Sequence, residues 1–191
     1  MEGEPLVTVG NDPATWNKRG RKAKTAWEAA MWSEYGQNTR FMSALKHVRP
    51  QPSHSVLDFG CGIGRFCTFL PQDVSYTGVD WAPAMLVRAE EENHRGSYFP
   101  EVPGWKFDHV VAIGTFNLED SWSKERTWAQ IEQLWEKNVK RTLLVSLLRR
   151  EILGHLSYDP LEAIVFARAR SESFELDCSY LPNDMMLVMR K

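Results

Sequence analysis

Disulfide staples, zinc ligation and membrane spanning are the first chemistries this sequence sets aside. Only three cysteines (Cys61, Cys67, Cys178) occur among 191 residues, an odd number with no C-x-x-C pair. Reduced thiols in a cytoplasmic protein are therefore expected, not a disulfide framework. The five histidines, at 47, 54, 94, 109 and 155, show neither H-x-x-x-H nor mixed Cys/His spacing, and no metal site is expected. No stretch reaches the run of about 18 apolar residues that a membrane helix needs. The acidic start Met1-Glu2-Gly3-Glu4-Pro5 lacks the apolar segment of a secretory leader. A net charge of -2 excludes a chain-wide electrostatic trap for nucleic acid or anionic membranes.

What the chain does have is 43% hydrophobic content, enough over 191 residues for one domain with its own core. Residues 1–24 are polar and carry a basic cluster (Lys18, Arg19, Arg21, Lys22, Lys24), and are expected to form a partly flexible arm. The same cluster is the feature that would hold a nucleic acid or a phosphate-bearing substrate. The rest, 25–191, is expected to be a single domain, opening with two lid helices over 25–49. Ala26, Trp27, Ala30 and Met31 repeat at helical spacing through Tyr35, Gly36 interrupts, and Phe41, Ala44, Leu45 and Val48 resume the pattern.

The densest signal is Val56-Leu57-Asp58-Phe59-Gly60-Cys61-Gly62-Ile63-Gly64-Arg65-Phe66, followed about twenty residues on by Tyr76-Thr77-Gly78-Val79-Asp80. An apolar run enters a glycine-rich turn, and a second run ends in a carboxylate. Such a strand–loop–helix–strand unit cradles an adenosine-bearing cofactor: glycines admit the ligand to the backbone, and the acid accepts from a ribose diol. A dinucleotide fingerprint, G-x-G-x-x-G, would need glycine at 65, where this chain has arginine. Glycines at 60, 62 and 64 with Asp58 ahead of them form a different pattern. Cys61 fills a place in that loop where a small residue packs.

Further along, Pro83 opens a helix that buries Met85, Leu86 and Ala89, and a brief strand is expected near 97–99. Phe107–Ile113 reads as a buried strand ending in Gly114-Thr115-Phe116-Asn117. Ser123 caps a helix whose inner face is Trp128, Ile131, Leu134 and Trp135. Arg141–Leu148 is another strand, and Asp159-Pro160 opens a helix through about Arg170. Ser173–Leu181 and Met185–Arg190 are separated only by Pro182-Asn183-Asp184, too short for a parallel crossover, so they must be an antiparallel hairpin.

Asp58-x-Gly60-x-Gly62-x-Gly64, Gly78-Val79-Asp80 and the terminal hairpin together resemble the class I S-adenosylmethionine-dependent methyltransferases, in their small stand-alone form. The resemblance extends to Trp32, Gly36, Gln37, Arg40 and Phe41 before the first strand and to 114–117 after the fourth. It implies an α/β fold, a Rossmann-like three-layer sandwich whose mostly parallel sheet ends in an antiparallel hairpin. S-adenosylmethionine is the implied cofactor. Gly60, Cys61, Gly62 and Gly64 would lie beneath its methionine and ribose, with Asp58 bracing the loop or meeting the amino group. Asp80 would accept from the ribose, and Trp81 and Met85 would pack beside it, Met85 equally as core. Gly114, Thr115 and Phe116 would border the methionine end, with Asn117 facing cofactor or acceptor. Arg40 would pair with the methionine carboxylate, or else form a surface salt bridge. Tyr158 and Asp159 would border the acceptor side, and no catalytic residue is assigned.

Departures from the family narrow the acceptor. There is no Asn/Asp-Pro-Pro-aromatic motif for adenine amino groups, no Pro-Cys for cytosine, and no acid cluster for a catechol-type metal. A small-molecule acceptor leads, with Trp16, Trp27, Trp32 and Trp122 as candidate lid or pocket residues. Nucleic-acid or protein methylation through the 18–24 cluster and a non-catalytic cofactor-binding subunit remain as alternatives. Segment 94–105, broken by glycines and prolines, leaves the adenine contacts undefined.

Overall fold

A strand buried on both faces reads as a continuous apolar run, and the computed structural model, which describes residues 13–191, turns those runs into one sheet. Its strands are Ser55–Phe59 (β1), Ser75–Val79 (β2), Ser97–Phe99 (β3), Phe107–Ile113 (β4), Val139–Leu148 (β5), Ser173–Asp177 (β6) and Asp184–Arg190 (β7). They lie in the order β3-β2-β1-β4-β5-β7-β6. The first five are parallel, and β7 runs antiparallel between β5 and β6. The expected hairpin is present and β6 ends at Asp177, where the Asp177 carboxylate accepts Ser179 N–H at 2.7 Å and turns the chain.

Helices Pro13–Lys22 (α1), Ala26–Ala29 (α2), Glu34–Val48 (α3), Pro83–Glu92 (α4), Lys124–Asn138 (α5) and Pro160–Arg168 (α6), with a short 3-10 helix over Arg65–Phe69, complete the described chain. Strand alternation sorts the core into two layers. Met185, Leu187 and Met189 join Leu57, Val110 and Leu143 beneath Ile131 and Leu134 of α5 and Phe166 of α6. Met186 and Val188 join Val56, Val111 and Leu144 against Phe41, Ala44 and Val48 of α3. Each such side chain contributes about 1.5–3 kcal/mol on burial. This is the class I methyltransferase architecture. The chain runs from β1 to β2 on one side while β4 lies on the other, so a crevice opens beyond the carboxyl ends of β1 and β4.

Two N-terminal expectations change. Of the expected arm, 1–12 fall outside the described residues, but 13–22 form a helix docked on α4. Asn17 Oδ1 accepts Ala84 N–H at 2.9 Å, supplying the cap that α4's own Ala82 lacks. Arg88 returns the favour at the other end, donating to the Gly20 and Ala23 carbonyls at 3.1 and 2.9 Å. Polar composition hid the helix because its anchors are caps exchanged between helices. The first lid helix is also shorter than expected. It ends at Ala29, Met31 takes a left-handed φ of 61°, and Ser33 Oγ caps α3 by accepting Gly36 N–H at 3.0 Å. Gly36 thus sits in the first turn of α3, and the break falls before it.

Candidate functional site

At the end of β1 the backbone enters the left-handed region at Gly60, Gly62 and Gly64, with φ of 78°, 53° and 72°. The loop is tied to β2: Gly60 and Cys61 N–H both donate to the Val79 carbonyl, at 2.8 and 3.0 Å. Asp80 then holds two elements at once. Its Oδ2 accepts Gly62 N–H and its Oδ1 accepts Ala82 N–H at the start of α4, each at 2.9 Å. A carboxylate has about four lone-pair sites, so Asp80 keeps acceptor capacity for a ligand. A Cβ on Gly60 would overlap Thr115, whereas one on Gly62 would meet no protein atom within 4 Å, so the loop is open on the Gly62 side.

That open side faces a cleft of about 520 Å³, within the range that holds a cofactor-sized ligand. Asp58 and Asp80 on one side face Thr115 and Gly114 at the end of β4, with Trp16, Trp32 and Trp122 around them. Asp58, 4% exposed, accepts Tyr76 O–H at 2.7 Å from within the core. Burial pushes its carboxyl up to about 7 against that hydrogen bond, with nearby Asp80 adding to the rise. Burial also raises Asp80 to about 6, opposed by the Ala82 and Gly62 amides. The Cys61 thiol is pushed well above its ordinary value, chiefly by burial and then by Asp80 and Asp58, so it stays protonated.

Two further polar residues, Gln37 and Arg65, line the cleft. Gln37 Oε1 and Arg65 Nε are buried without a hydrogen-bond partner among the described residues. Arg65 is held otherwise by Asn38 Oδ1 at 3.3 Å and by the rings of Trp27 and Phe69, 5.6 and 5.8 Å from its guanidinium. Buried polar atoms are rarely left unpaired, and here an acceptor and a cationic donor share one cleft.

Of the residues singled out in the sequence, Asp58, Gly60, Cys61, Gly62, Asp80, Trp81, Met85, Gly114 and Thr115 all line this cleft. Met85 does so as a core residue, 1% exposed and packed with Ala26, Ala29, Ile63 and Ala82. Three are placed elsewhere. A Cβ on Gly64 would strike Tyr98, so Gly64 faces the protein. Phe116 is fully buried, its ring 5.8 Å from Phe59 and 4.6 Å from Trp122. Arg40 gives its fork to Asp184, with Nε to Oδ2 at 2.6 Å and a terminal nitrogen to Oδ1 at 3.0 Å, and lines a neighbouring cavity. Tyr158 is also core, bonded to Thr127 Oγ1 and the Phe116 carbonyl. Trp27 lies under Arg65 outside the cleft lining, and Asn117 Oδ1 accepts Leu148 N–H. Arg65, directly after Gly64, also lines the cleft, although the sequence pattern did not single it out for the site. Pro100, Glu101 and Val102 of the undefined 94–105 segment also reach the cleft.

A glycine loop braced by Asp80, at the crevice of a mixed sheet with a reversed strand, defines a class I S-adenosylmethionine-dependent methyltransferase. The family model of the methyltransferase domain matches residues 27–140, and the chain belongs to that family. No curated protein matches it in sequence. Among solved structures it is similar in fold to an N-methyltransferase (NodS) of Bradyrhizobium japonicum bound to S-adenosylhomocysteine. The two are 13% identical over 95% of this chain and 99% of that one, with a TM-score of 0.70. It is also similar to magnesium protoporphyrin IX methyltransferase of Synechocystis, at 13% identity, 93% of each chain and a TM-score of 0.65. A TehB-like S-adenosylmethionine-dependent methyltransferase of Corynebacterium glutamicum shares 15% identity over 94% of this chain and 100% of its own, with a TM-score of 0.64.

Proposed function

We propose that the cleft beyond β1 and β4 binds S-adenosylmethionine and that this enzyme methylates a small-molecule acceptor. The observation that carries the cofactor assignment is Asp80, which holds Gly62 N–H and Ala82 N–H beside the open side of the glycine loop, in the same cleft as Asp58, Gln37 and Arg65. An α-amino-acid end brings an ammonium and a carboxylate, and Gln37 Oε1 and Arg65 Nε offer the matching acceptor and donor. Arg65 thus takes the role that the sequence suggested for Arg40. Asp80 accepts from the ribose hydroxyls while keeping the loop and α4 in register. Asp58, anchored by Tyr76, presents its second oxygen to the amino-acid end. Gly62 supplies the room.

When bound, the cofactor supplies an electrophilic methyl on a sulfonium with a good leaving group. The protein's share is orientation and exclusion of water. Trp16, Trp32 and Trp122 wall the cleft, and Trp16 comes from α1, so the catalytic unit reaches back beyond residue 25. A small acceptor is favoured because the space adjoining the cleft is about 350 Å³, the size of a small-molecule site. The magnesium protoporphyrin enzyme, similar in fold, has a small-molecule acceptor by name. Among the described residues no helix is long and apolar enough to cross a membrane.

Calorimetry with S-adenosylmethionine and S-adenosylhomocysteine, with NAD as control, tests the cofactor assignment. Binding of the first two alone is expected, and Gly62→Arg should abolish it. Silence from all three would overturn it.

A further inference from the structure

Across Trp32 from the cleft lies a second cavity, of about 350 Å³. The two share Trp16, Ala30, Trp32, Gly114 and Leu118 in their walls. Trp32 is the partition: its indole sits so close to Gly114 that a Cβ there would overlap it. Arg40 stacks on its ring, 4.7 Å from the centroid.

Three features of the second cavity define what fits it. Arg40 and Asp184, the formally charged residues in its wall, cancel in a bidentate pair at 2.6 and 3.0 Å. Its mouth exposes large apolar side chains, Met31, Tyr35 and Ile152, at 45, 74 and 37%. The third feature is His155. Its Nδ1 lies 3.0 Å from the Leu153 carbonyl. A carbonyl only accepts, so Nδ1 carries the proton and the lone pair of the neutral ring is on Nε2, which has no partner among the described residues.

We infer that this second cavity is the methyl-acceptor site, and that it takes a neutral molecule with an apolar body and a phenol-type hydroxyl whose proton passes to His155 Nε2. The inference rests on the assignment of the neighbouring cleft to the cofactor. A charged acceptor would find its counterion already engaged and would have to break a buried pair to gain it. Apolar surface at the mouth matches an aromatic or aliphatic body. A phenol, with pKa about 10, is within reach of an imidazole base, whereas an aliphatic alcohol is about as weak an acid as water. In the reaction an oxygen–methyl bond forms as the sulfur–methyl bond breaks. The phenolic proton goes to His155 Nε2 and then to water, leaving a methyl ether and S-adenosylhomocysteine.

The test uses naphthol as a neutral phenol and naphthoate as its anionic counterpart, titrated by calorimetry into protein saturated with S-adenosylhomocysteine. Naphthol is expected to bind saturably and naphthoate at least about tenfold more weakly, consistent with the engaged Arg40. Ile152→Glu, at an exposed position, should weaken naphthol about tenfold or more and leave the S-adenosylhomocysteine Kd unchanged. With S-adenosylmethionine, mass spectrometry should find the methyl ether. His155→Gln should cut kcat roughly 100-fold or more at unchanged naphthol Kd. Saturation by S-adenosylhomocysteine without naphthol binding, or an Ile152→Glu protein that binds naphthol normally, would overturn the acceptor inference alone. Failure of S-adenosylhomocysteine to bind would overturn the cofactor assignment beneath it.

Discussion

Arg65 and Arg40 make opposite predictions, and replacing each by methionine separates them. Arg65→Met removes the guanidinium, which sits against the Trp27 and Phe69 rings on a residue that lines the cleft. A hydrogen bond to a charged group is worth about 1.5–3 kcal/mol. Affinity for S-adenosylhomocysteine should therefore fall roughly 10- to 100-fold, at 1.4 kcal/mol per decade. Free-protein stability should change by no more than about 1 kcal/mol. The long bond to Asn38 and the ring contacts are lost, but so is the burial of an unpaired Nε. At ligand held at 100 times the wild-type Kd, the wild type gains about 2.7 kcal/mol and a 100-fold weaker variant only about 0.4. Arg40→Met does the reverse. It strands Asp184, 2% exposed, and should cost about 3–5 kcal/mol of stability while leaving the Kd of the folded protein within about twofold. Calorimetry for affinity and denaturant melts for stability read both quantities. An Arg65→Met protein with wild-type affinity beside an Arg40→Met protein that has lost it would refute the assignment and return the carboxylate to Arg40.

The buried Asp58 and His109 should work against each other as pH changes. Asp58 rises from 3.8 to about 7 on folding, so its contribution is fully present below 3.8 and lost as pH climbs to 7. Asp58→Asn, which can still accept from Tyr76, should therefore stabilise the ligand-free protein above pH 7, by up to roughly 4 kcal/mol in urea melts. His109, lowered from 6.5 to about 4 by burial and then by the His54 ring whose Nδ1 is 2.9 Å away, contributes stability above 6.5 that is lost as pH falls towards 4. Asp80, raised from 3.8 to about 6, adds to Asp58, so wild-type stability should fall as pH rises from 4 to 6, and His109→Gln should steepen that decline. An unchanged profile in both variants would reject the opposition. Gly114→Ala combines a φ of 74° with overlap onto Trp32, and should shift tryptophan emission and weaken S-adenosylhomocysteine at least about tenfold. A wild-type spectrum would place the indole elsewhere. If the exposed Lys18, Arg21, Lys22 and Lys24 instead hold RNA, binding should fall steeply with salt, whereas the small-acceptor assignment expects no saturable RNA binding.

The geometry of the glycine loop was legible because its constraints are local. A glycine held at positive φ, an acid at a strand end and an antiparallel hairpin each follow from a few neighbouring residues, so Gly60, Gly62, Asp80 and β7 stand where the spacing put them. Of the two roles open to Arg40 the structure shows the salt bridge, and its partner was illegible because nothing in the α3 sequence announces Asp184, 144 residues away. Phe116 shows the complementary limit. Strand alternation continues past β4 and sends its ring into the core, while Thr115 Oγ1 turns back to the Phe59 carbonyl at 2.7 Å. The helix over 13–22 escaped because its stability lies in Asn17 and Arg88, caps that α1 and α4 lend each other. His155 had no signal at all; a lone histidine in a loop becomes a candidate base only when the fold sets a carbonyl against Nδ1 and a cavity beside it.

The same residues that make the site legible make the ligand-free state strained in its electrostatics. Asp58 and Asp80 are held above the carboxylate range, and Gln37 and Arg65 keep buried atoms unpaired, all around one cleft. Each group disfavours the empty fold, and under the proposed assignment each would be relieved by a hydroxyl, an ammonium or a carboxylate of the cofactor. Stability and affinity are therefore linked through these four side chains, and local rules fail where function needs them to. Elsewhere the buried polar groups are largely satisfied: Thr127 with Tyr158, Asn138 with the Pro103 and Trp105 carbonyls, and His47 with Asp177. Substitutions that relieve the cleft, Asp58→Asn among them, should raise the melting temperature of the free protein and lower the increment that S-adenosylhomocysteine adds. A variant gaining in both would show that the unpaired groups are not what the ligand answers.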